Sequence, residues 1–341
     1  MTGPTLSVVI PAYNEGKYLP ATIAALVDAI GRSGFDAELV VVDDGSNDGS
    51  GDIARAAAHG RIPTRVISQE NRGRLAARRA GIEAANASLV LLLDGRVLVE
   101  RDALRFVHDM VRGGQCVWTG HVHVAGDSVL GTFWRLIAEL AWRGYFDEPR
   151  TTTFGVEDFD RYPKGTTCFV APRETLLEAM ARFESRYVDT RNANDDTPIL
   201  RHIAERGGIG VSPRFACTYS PRANIRAFLR HSVHRGVVFV DGHGRVESRF
   251  FPVVIAFFPI SMALVLAAVR RPTIAPATAF LCSATAAAFG VRARRTRHEI
   301  RALALVTPIY ALAHGVGMWK GLIMLVRSRV ARRDQAPASE I

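Results

Sequence analysis

Cysteine is scarce and scattered. Cys116, Cys168, Cys217 and Cys282 lie far apart with no Cys-x-x-Cys pair, which excludes zinc-ligand spacing and a disulfide scaffold and predicts reduced thiols. A Gly-x-Gly-x-x-Gly turn is missing after the first strand-like run, where Pro11-Ala12-Tyr13-Asn14-Glu15 stands instead, so a dinucleotide-binding fingerprint is excluded. No internal repeat or low-complexity segment occurs. Acidic residues are outnumbered, 33 Asp and Glu against 43 Lys and Arg, for a formal net charge of +10. A nucleic-acid binder would gather that charge on a face interleaved with aromatics. Here Arg270, Arg271, Arg292, Arg294, Arg295, Arg297, Arg327, Arg329, Arg332 and Arg333 flank apolar C-terminal stretches, a placement suited to anionic membrane lipids, and nucleic acid is not an expected partner. Long apolar runs are absent from residues 1–248 and dominate 250–326. The first part is therefore expected to be one sizeable soluble domain and the second to meet a membrane. Leu6–Pro11 is too short for the apolar core of a signal peptide and opens a strand, so the soluble part is expected to stay in the cytoplasm.

The soluble part alternates strands and helices. Leu6–Ile10, Glu38–Val42, Thr64–Ser68 and Leu89–Leu93 are short β-branched or leucine-rich runs of the kind buried on both faces of a parallel sheet. Between them, Leu19, Ile23, Leu26, Val27 and Ile30 follow helical spacing up to Gly31, and helical stretches also run to about His59 and over Leu75–Ala85. This predicts an α/β fold with a mostly parallel sheet and helices on both faces. Ligands of such sheets bind at the carboxyl ends of strands, near the reversal of strand order. Polar clusters fall at three of those ends: Pro11–Glu15, Asp43–Asn47 and Asp94–Arg96. From 115 to 220 the order is mixed, with a strand at Val117–Val124 and helices at Glu174–Phe183 and Thr197–Glu205.

The run Ser7-Val8-Val9-Ile10-Pro11-Ala12-Tyr13-Asn14-Glu15, the run Val41-Val42-Asp43-Asp44-Gly45-Ser46-Asn47-Asp48-Gly49-Ser50, and Asn71-Arg72-Gly73-Arg74 with Ala77-Arg78 resemble family 2 glycosyltransferases of the GT-A fold. Gly165-Thr166-Thr167-Cys168-Phe169-Val170 with Arg173, and Asn194-Asp195-Asp196, continue the resemblance, which covers residues 5–236. It implies an inverting transferase whose donor is a nucleoside-diphosphate sugar. Pro11, Ala12, Tyr13 and Glu15 would contact base and ribose, with Asp43 or Asp44 accepting from the base and the other shaping the turn at Gly45. Glu15 has the alternative of stabilising a helix N-terminus. Arg74 and Arg78, one helical turn apart, suit the diphosphate or else a solvated basic face. Thr166, Thr167, Arg173, His231, His234 and Arg235 would serve acceptor and diphosphate.

Two departures matter. The family's Asp-x-Asp reads Asp94-Gly95-Arg96 here, so Asp94 is expected to hold Mg²⁺ or Mn²⁺ as a lone carboxylate. Arg96 would then either neutralise phosphate beside that ion or, if strand geometry continues, pair with Asp94 in its place. His121 and His123 share a strand face and are weighed as helpers or as structural residues. The Gln-x-x-Arg-Trp of processive relatives is replaced by His231-Ser-Val-His234-Arg235-Gly236 without the Trp, against polymer extrusion. Asp196 matches the family's base position and Asp195 stands where Glu is usual. Their alternative is capping the helix that follows.

The expected organisation is a GT-A glycosyltransferase domain over 1–236, a basic connector over 237–249, a membrane region of two or three helices over 250–330 and a polar tail over 331–341. Phe250–Val269, Thr273–Val291 and Ala302–Val326 are each long enough to cross. Three crossings would leave the arginines at 292–301 and at 327–333 on opposite sides, so one segment, the third, is expected to be re-entrant or interfacial. Gly315, Gly317 and Gly321 suit close helix packing there. The function expected is transfer of a sugar to a lipid-linked or polysaccharide acceptor at the cytoplasmic face of the inner membrane, in surface-polysaccharide or cell-wall assembly. The alternatives are transfer to polyprenyl phosphate itself and a membrane-anchored nucleotide-sugar binder without catalysis.

Overall fold

The computed structural model describes residues 3–334 apart from 127, 222, 223, 247 and 249, and of 333 and 334 only the backbone. The tail expected beyond 334 and the side chain of Arg333 lie outside the described residues. The chain forms two compact units, Met1–Ala125 with Ile137–Phe183 and Asp195–Pro221, and Gly126–Leu136 with Glu184–Asn194 and Arg222–Ile341.

In the first unit, β1 (Leu6–Ala12), β2 (Ala37–Asp44), β3 (Thr64–Gln69) and β4 (Leu89–Leu93) run parallel. Successive side chains of a strand point to opposite faces, and both faces are covered. Val8, Ile10, Leu39 and Val41 pack with Leu19 and Ile23 of α1 (Leu19–Gly31), Ala54 of α2 (Ser50–Ala58) and Leu104 of α4 (Ala103–Arg112). Val9, Val40, Val42 and Leu92 pack with Ala77 of α3 (Arg74–Ala84), Leu176 of α7 (Arg173–Ala181) and Leu200 of α8 (Asp196–Arg206). Apolar residues fill both faces of β1, β2 and β4, which is why these strands carry no alternation.

The sheet continues with β5 (Val97–Val99), β6 (Trp118–Val124), β7 (Thr152–Phe154), β8 (Cys168–Pro172) and β9 (Ile209–Tyr219), in the order β3-β2-β1-β4-β8-β6-β9-β5 with β7 on β9. Between β6 and β7 come α5 (Val129–Ala141) and α6 (Arg143–Phe146). From β1 the order runs outward through β2 and β3 on one side and through β4 on the other, so the reversal point lies between β1 and β4. Because β8 is antiparallel to β4, Cys168 sits at the carboxyl edge of β4 and Pro172 at the opposite edge.

In the second unit, α9 (Ile225–His243), capped by the Asn224 side chain on Ala227 N at 2.8 Å, lies against α12 (Arg297–Asp334). Gly236 and Gly317 make that approach possible, since a Cβ on either would meet backbone of the other helix within 3 Å. Asp241 at the end of α9 is buried and accepts from Ser185 Oγ, Arg186 N and Asn194 N. Helices α10 (Phe251–Arg270), α11 (Ile274–Arg292) and α12 are each long and apolar enough to cross a membrane. The expected re-entrant break is absent: α12 runs unbroken over 38 residues through Pro308.

Candidate active site

Two loops at the carboxyl edge lock each other. Asn14, at positive φ, donates its N–H to Ser46 Oγ and accepts from Asn47 N, both at 3.0 Å. Glu15 N donates to Ser50 Oγ at 2.9 Å and Gly16 N to Asp48 Oδ2 at 3.0 Å. Ser46, Asp48 and Ser50 thus hold the Pro11–Glu15 segment in place. Pro11 is half-buried, Ala12 is buried at the end of β1 and Tyr13 is half-exposed beyond it.

Both aspartates that end β2 hold backbone. Asp43 accepts from Ser46 N at 2.9 Å and Gly51 N at 3.2 Å, while Asp44, 3% exposed, accepts from Gln69 Nε2, Arg72 N and Gly73 N at 2.7 to 2.9 Å. Asp43 closes the turn at Gly45 through Ser46 N, and Asp44 fastens the loop that leads into α3. Gly45 needs its glycine: φ is +76° and a Cβ would lie 2.8 Å from Asn71 N.

The centre of the site is one arginine. Arg78, 1% exposed, gives Nη1 to Asp195 Oδ2 at 2.9 Å and to Asp196 Oδ1 at 2.8 Å, and Nη2 to Asp94 Oδ1 at 3.0 Å. Arg74 Nη2 binds the other oxygen of Asp195 at 2.9 Å. Residues from α3, β4 and α8 that are far apart in sequence are thereby drawn to one point. The solvated-face alternative fails for Arg78, and the capping alternative fails for both acids, since no side chain caps α8. Thr166 Oγ1 donates to Asp196 Oδ1, and Thr167 O accepts from Asp94 N at 2.9 Å. Burial by itself raises the pKa of Asp196, but Arg74, Arg78 and the Thr166 hydroxyl outweigh it and hold the carboxyl well below its ordinary value of 3.8. Asp196 is therefore ionised at neutral pH. A group with a depressed folded pKa contributes stability above its unfolded pKa, and here that contribution is lost only as the pH falls below 3.8.

Arg96 does not pair with Asp94. The strand stops at Leu93, and Val97 N closes a turn onto Asp94 O at 3.1 Å, so the alternation that would align the two side chains ends. Arg96 Nε meets Glu15 Oε2 at 2.5 Å, with its guanidinium 4.3 Å from the centre of the Tyr18 ring. Tyr18 went unnoticed in sequence, although an aromatic one helical turn from Glu15 was a signal. Arg173 is also misassigned as an acceptor contact. It follows β8 at the opposite sheet edge, where its guanidinium donates to Ile82 O and Glu83 O at 2.9 Å and ties β8 to the end of α3. His231, His234 and Arg235 lie on α9 in the second unit, with the His231 ring 5.1 Å from Trp134.

The residues fit a singly anchored cation and no more. Among the described residues no group of three or more His, Cys, Asp or Glu is placed to hold a metal ion. Asp94 is 24% exposed and gives only one oxygen to Arg78. That suits Mg²⁺, which often takes one or two carboxylates and completes its shell with water and substrate phosphate. His121 is no helper: its Nδ1 lies 3.0 Å from Tyr145 Oη, and burial, then His123, push its pKa down to about 4.

Residues 7–165 match the family described as Glycosyl transferase family 2. The chain is 41% identical over 91 residues to the undecaprenyl-phosphate 4-deoxy-4-formamido-L-arabinose transferase of Aeromonas hydrophila, covering 26% of this chain and 28% of that protein. It is 32% identical over 108 residues to glycosyltransferase GlyG of Streptococcus pneumoniae, covering 31% and 35%. The match thus spans about a third or less of these relatives. Among solved structures, the mannosyltransferase PcManGT of Pyrobaculum calidifontis in complex with GDP-Man and Mn²⁺ superposes with a TM-score of 0.56 over 94% of this chain and 88% of that one, at 20% identity. That likeness is one of fold, the GT-A fold.

Proposed function

Residues 7–165 form a family 2 glycosyltransferase domain, and from that premise we propose that the chain transfers a sugar, with inversion, from a nucleoside diphosphate to a lipid-linked or polysaccharide acceptor. The observation that carries this is the convergence of Asp94, Asp195 and Asp196 on Arg78 at the reversal point of the sheet. Asp196 is the base. Its Oδ1 is held by Arg78 and Thr166, leaving Oδ2 to take the acceptor's hydroxyl proton as that oxygen attacks the anomeric carbon. The bond to the diphosphate oxygen breaks with its electron pair on the leaving nucleotide. Asp195, fixed by Arg74 and Arg78, positions both arginines. The Pro11–Glu15 and Asp43–Ser50 loops hold base and ribose.

Charge argues for a cation. Three carboxylates face two guanidiniums, and Arg96 is already neutralised by Glu15, so a diphosphate adds negative charge to a site with no surplus of positive charge. Asp94 would hold Mg²⁺ or Mn²⁺, which when bound offsets charge on the leaving diphosphate. Calorimetry is expected to show that chelation weakens nucleotide binding in wild type and changes it little in Asp94→Ala. Equal nucleotide affinity with and without EDTA in wild type would remove the metal.

The function is tested by turnover of nucleoside-diphosphate sugars to free nucleoside diphosphate in membranes, with and without acceptor lipid. Binding without turnover would mark a non-catalytic binder. Because Asp196 is already ionised, kcat/KM should show no acid limb between about pH 5 and 8, since that ratio reports groups of the free enzyme. An acid limb near 6 would identify a different base.

The chain meets the membrane through two crossings, α10 and α11. Helix α12 is tied near its start by Arg135–Glu299 at 2.6 Å and near its end by Val188 N on Ser328 Oγ at 3.0 Å and Arg332 on Ser185 O at 2.8 Å. Those ties reach segments Gly126–Leu136 and Glu184–Asn194, eleven residues each, whose flanking residues belong to the first unit. At about 3.3–3.6 Å per residue, neither segment can cross a core of about 30 Å and return. Both ends of α12 therefore lie on one side. Leu305, Ile309, Leu312, Val316, Ile323 and Val330 form an exposed apolar stripe along it, as in a helix lying in the interface plane. The arginines at 292–301 and at 327–332 then share that side, with Arg270 and Arg271 at the end of α10 on the other, and the positive-inside bias makes the richer side cytoplasmic. Alkaline phosphatase fused after residue 272 should be active, and fusions after 295 and 332 inactive. Activity of the last would restore three crossings.

A further inference from the structure

Within the second unit a cavity of about 650 Å³ opens between the first turns of α10 and the last turns of α12. Its apolar wall is made by Val254, Phe258, Leu322 and Leu325. Its other wall carries four guanidiniums, Arg186, Arg245, Arg329 and Arg332, against one lining acid among the described residues, Glu184. Three of these arginines are positioned by the fold itself: Arg186 donates to Gly244 O, Arg245 to Glu184 O at 2.7 Å and Arg332 to Ser185 O at 2.8 Å. Bonds to carbonyls orient the guanidiniums without neutralising them. Asp241, a second acid of this unit, is buried and already accepts from Ser185 and the backbone of Arg186 and Asn194. Among the described residues Arg329 has no hydrogen bond or ion pair. Burial, followed by the charges of Arg329 and Arg245, lowers the pKa of Arg186 although Asp241 pulls the other way, as expected where like charges crowd together.

We propose that this cavity binds a single-chain lipid ending in a phosphomonoester, with the phosphate on the arginines and the chain along α10 and α12. Guanidiniums match phosphate oxygens in pairs, and a monoester carries about −1.5 to −2 at neutral pH. That charge answers an excess of three positive charges among the described lining residues better than the single charge of a phospholipid diester. The membrane placement argued above puts the arginine wall at headgroup level, with the apolar wall continuing into the span of α10. The proposal rests on that membrane placement and gives the cavity no part in the transfer step itself.

The test uses the full-length protein in detergent with farnesyl phosphate, farnesol and phosphatidylglycerol as probes. Farnesyl phosphate should bind, farnesol at least about tenfold more weakly, and excess phosphatidylglycerol should not displace the monoester. Arg329→Gln, which removes no bond of the fold, should weaken farnesyl phosphate at least about tenfold, with Arg329→Lys retaining part of the affinity. Nucleotide-sugar affinity, measured in parallel, should be unchanged in both variants, which separates a folded protein with a damaged lipid site from a misfolded one. Equal binding of farnesyl phosphate by wild type and Arg329→Gln overturns the proposal, as does displacement by phosphatidylglycerol, which would mark an ordinary bilayer contact. If the lipid arm succeeds while no nucleoside-diphosphate sugar binds or turns over, the lipid site stands and the transfer reading falls.

Discussion

Asp196→Asn is expected to lower sugar transfer by about 10²–10⁴ in kcat, the loss typical of a missing general base, with nucleotide affinity nearly intact. The substitution is chosen for what it keeps. An Asn at this position retains an oxygen that accepts from Arg78 and Thr166, as Asp196 Oδ1 does now, so the cluster stays assembled. What disappears is the carboxylate's capacity to take a proton from the attacking hydroxyl, which matters in the transition state and not in the ground-state nucleotide complex. Turnover assays with calorimetry on the same preparation check both halves. Wild-type turnover in the variant would leave Asp196 a structural partner of Arg78, and loss of nucleotide binding along with turnover would point to collapse of the cluster.

The first four strands and their helices were legible because β1, β2 and β4 are buried on both faces, β3 is a short run with β-branched residues, and each helix has one apolar face. Leu89–Leu93 was placed to the residue, and α1 was closed correctly at Gly31. The loops at the strand ends were legible for a chemical reason, since Asn, Asp, Gly and Ser crowd there. What stayed hidden depends on distance in the chain. Nothing local reveals that Arg78 of α3 would meet Asp195 and Asp196 about 117 residues later or that Arg96 would leave Asp94 for Glu15. The first follows from packing α3 and α8 on one sheet face, the second from a turn that ends a strand one residue before Asp94. Arg173 was misplaced because its motif gives proximity in sequence to Thr166 and Thr167 but not the direction of β8, which carries the chain to the far edge. Strand β9 was missed because Ser212, Pro213 and Arg214 interrupt its apolar pattern, and the pairing with β6 shifts register at the same place. In α12, length and apolar composition allowed a crossing, the arginines at 292–301 and 327–333 argued against one, and the ties at its two ends add to that argument.

Arg78→Met is expected to cost about 3–5 kcal/mol, the penalty for leaving buried charge uncompensated when one partner of an ion pair is removed. Arg78 is 1% exposed and Asp195 is 3% exposed, so water cannot replace the lost guanidinium at Asp195. Arg74 remains on its other oxygen but is 44% exposed and reaches neither Asp94 nor Asp196 with a hydrogen bond. The native arrangement is itself imperfect, since Arg78 Nε is buried without a partner among the described residues, which means charge and not full hydrogen bonding keeps the residue there. The pH dependence gives the sharper check. In the variant Asp196 keeps Arg74 but loses Arg78, one of the groups that hold its carboxyl down, so its folded pKa moves back toward the ordinary value of 3.8. The stability given by a depressed folded pKa is present above the unfolded value and lost as the pH falls below it. The deficit relative to wild type should therefore be full near pH 7, persist at pH 4 and shrink only in more acid solution, and replacing Asp195 by Asn in the same chain should recover part of it at neutral pH. Chemical denaturation of the detergent-solubilised protein at pH 7 and in acid below pH 3 measures the difference. A deficit that is the same at both would mean that Arg78 acts through its volume and not its charge.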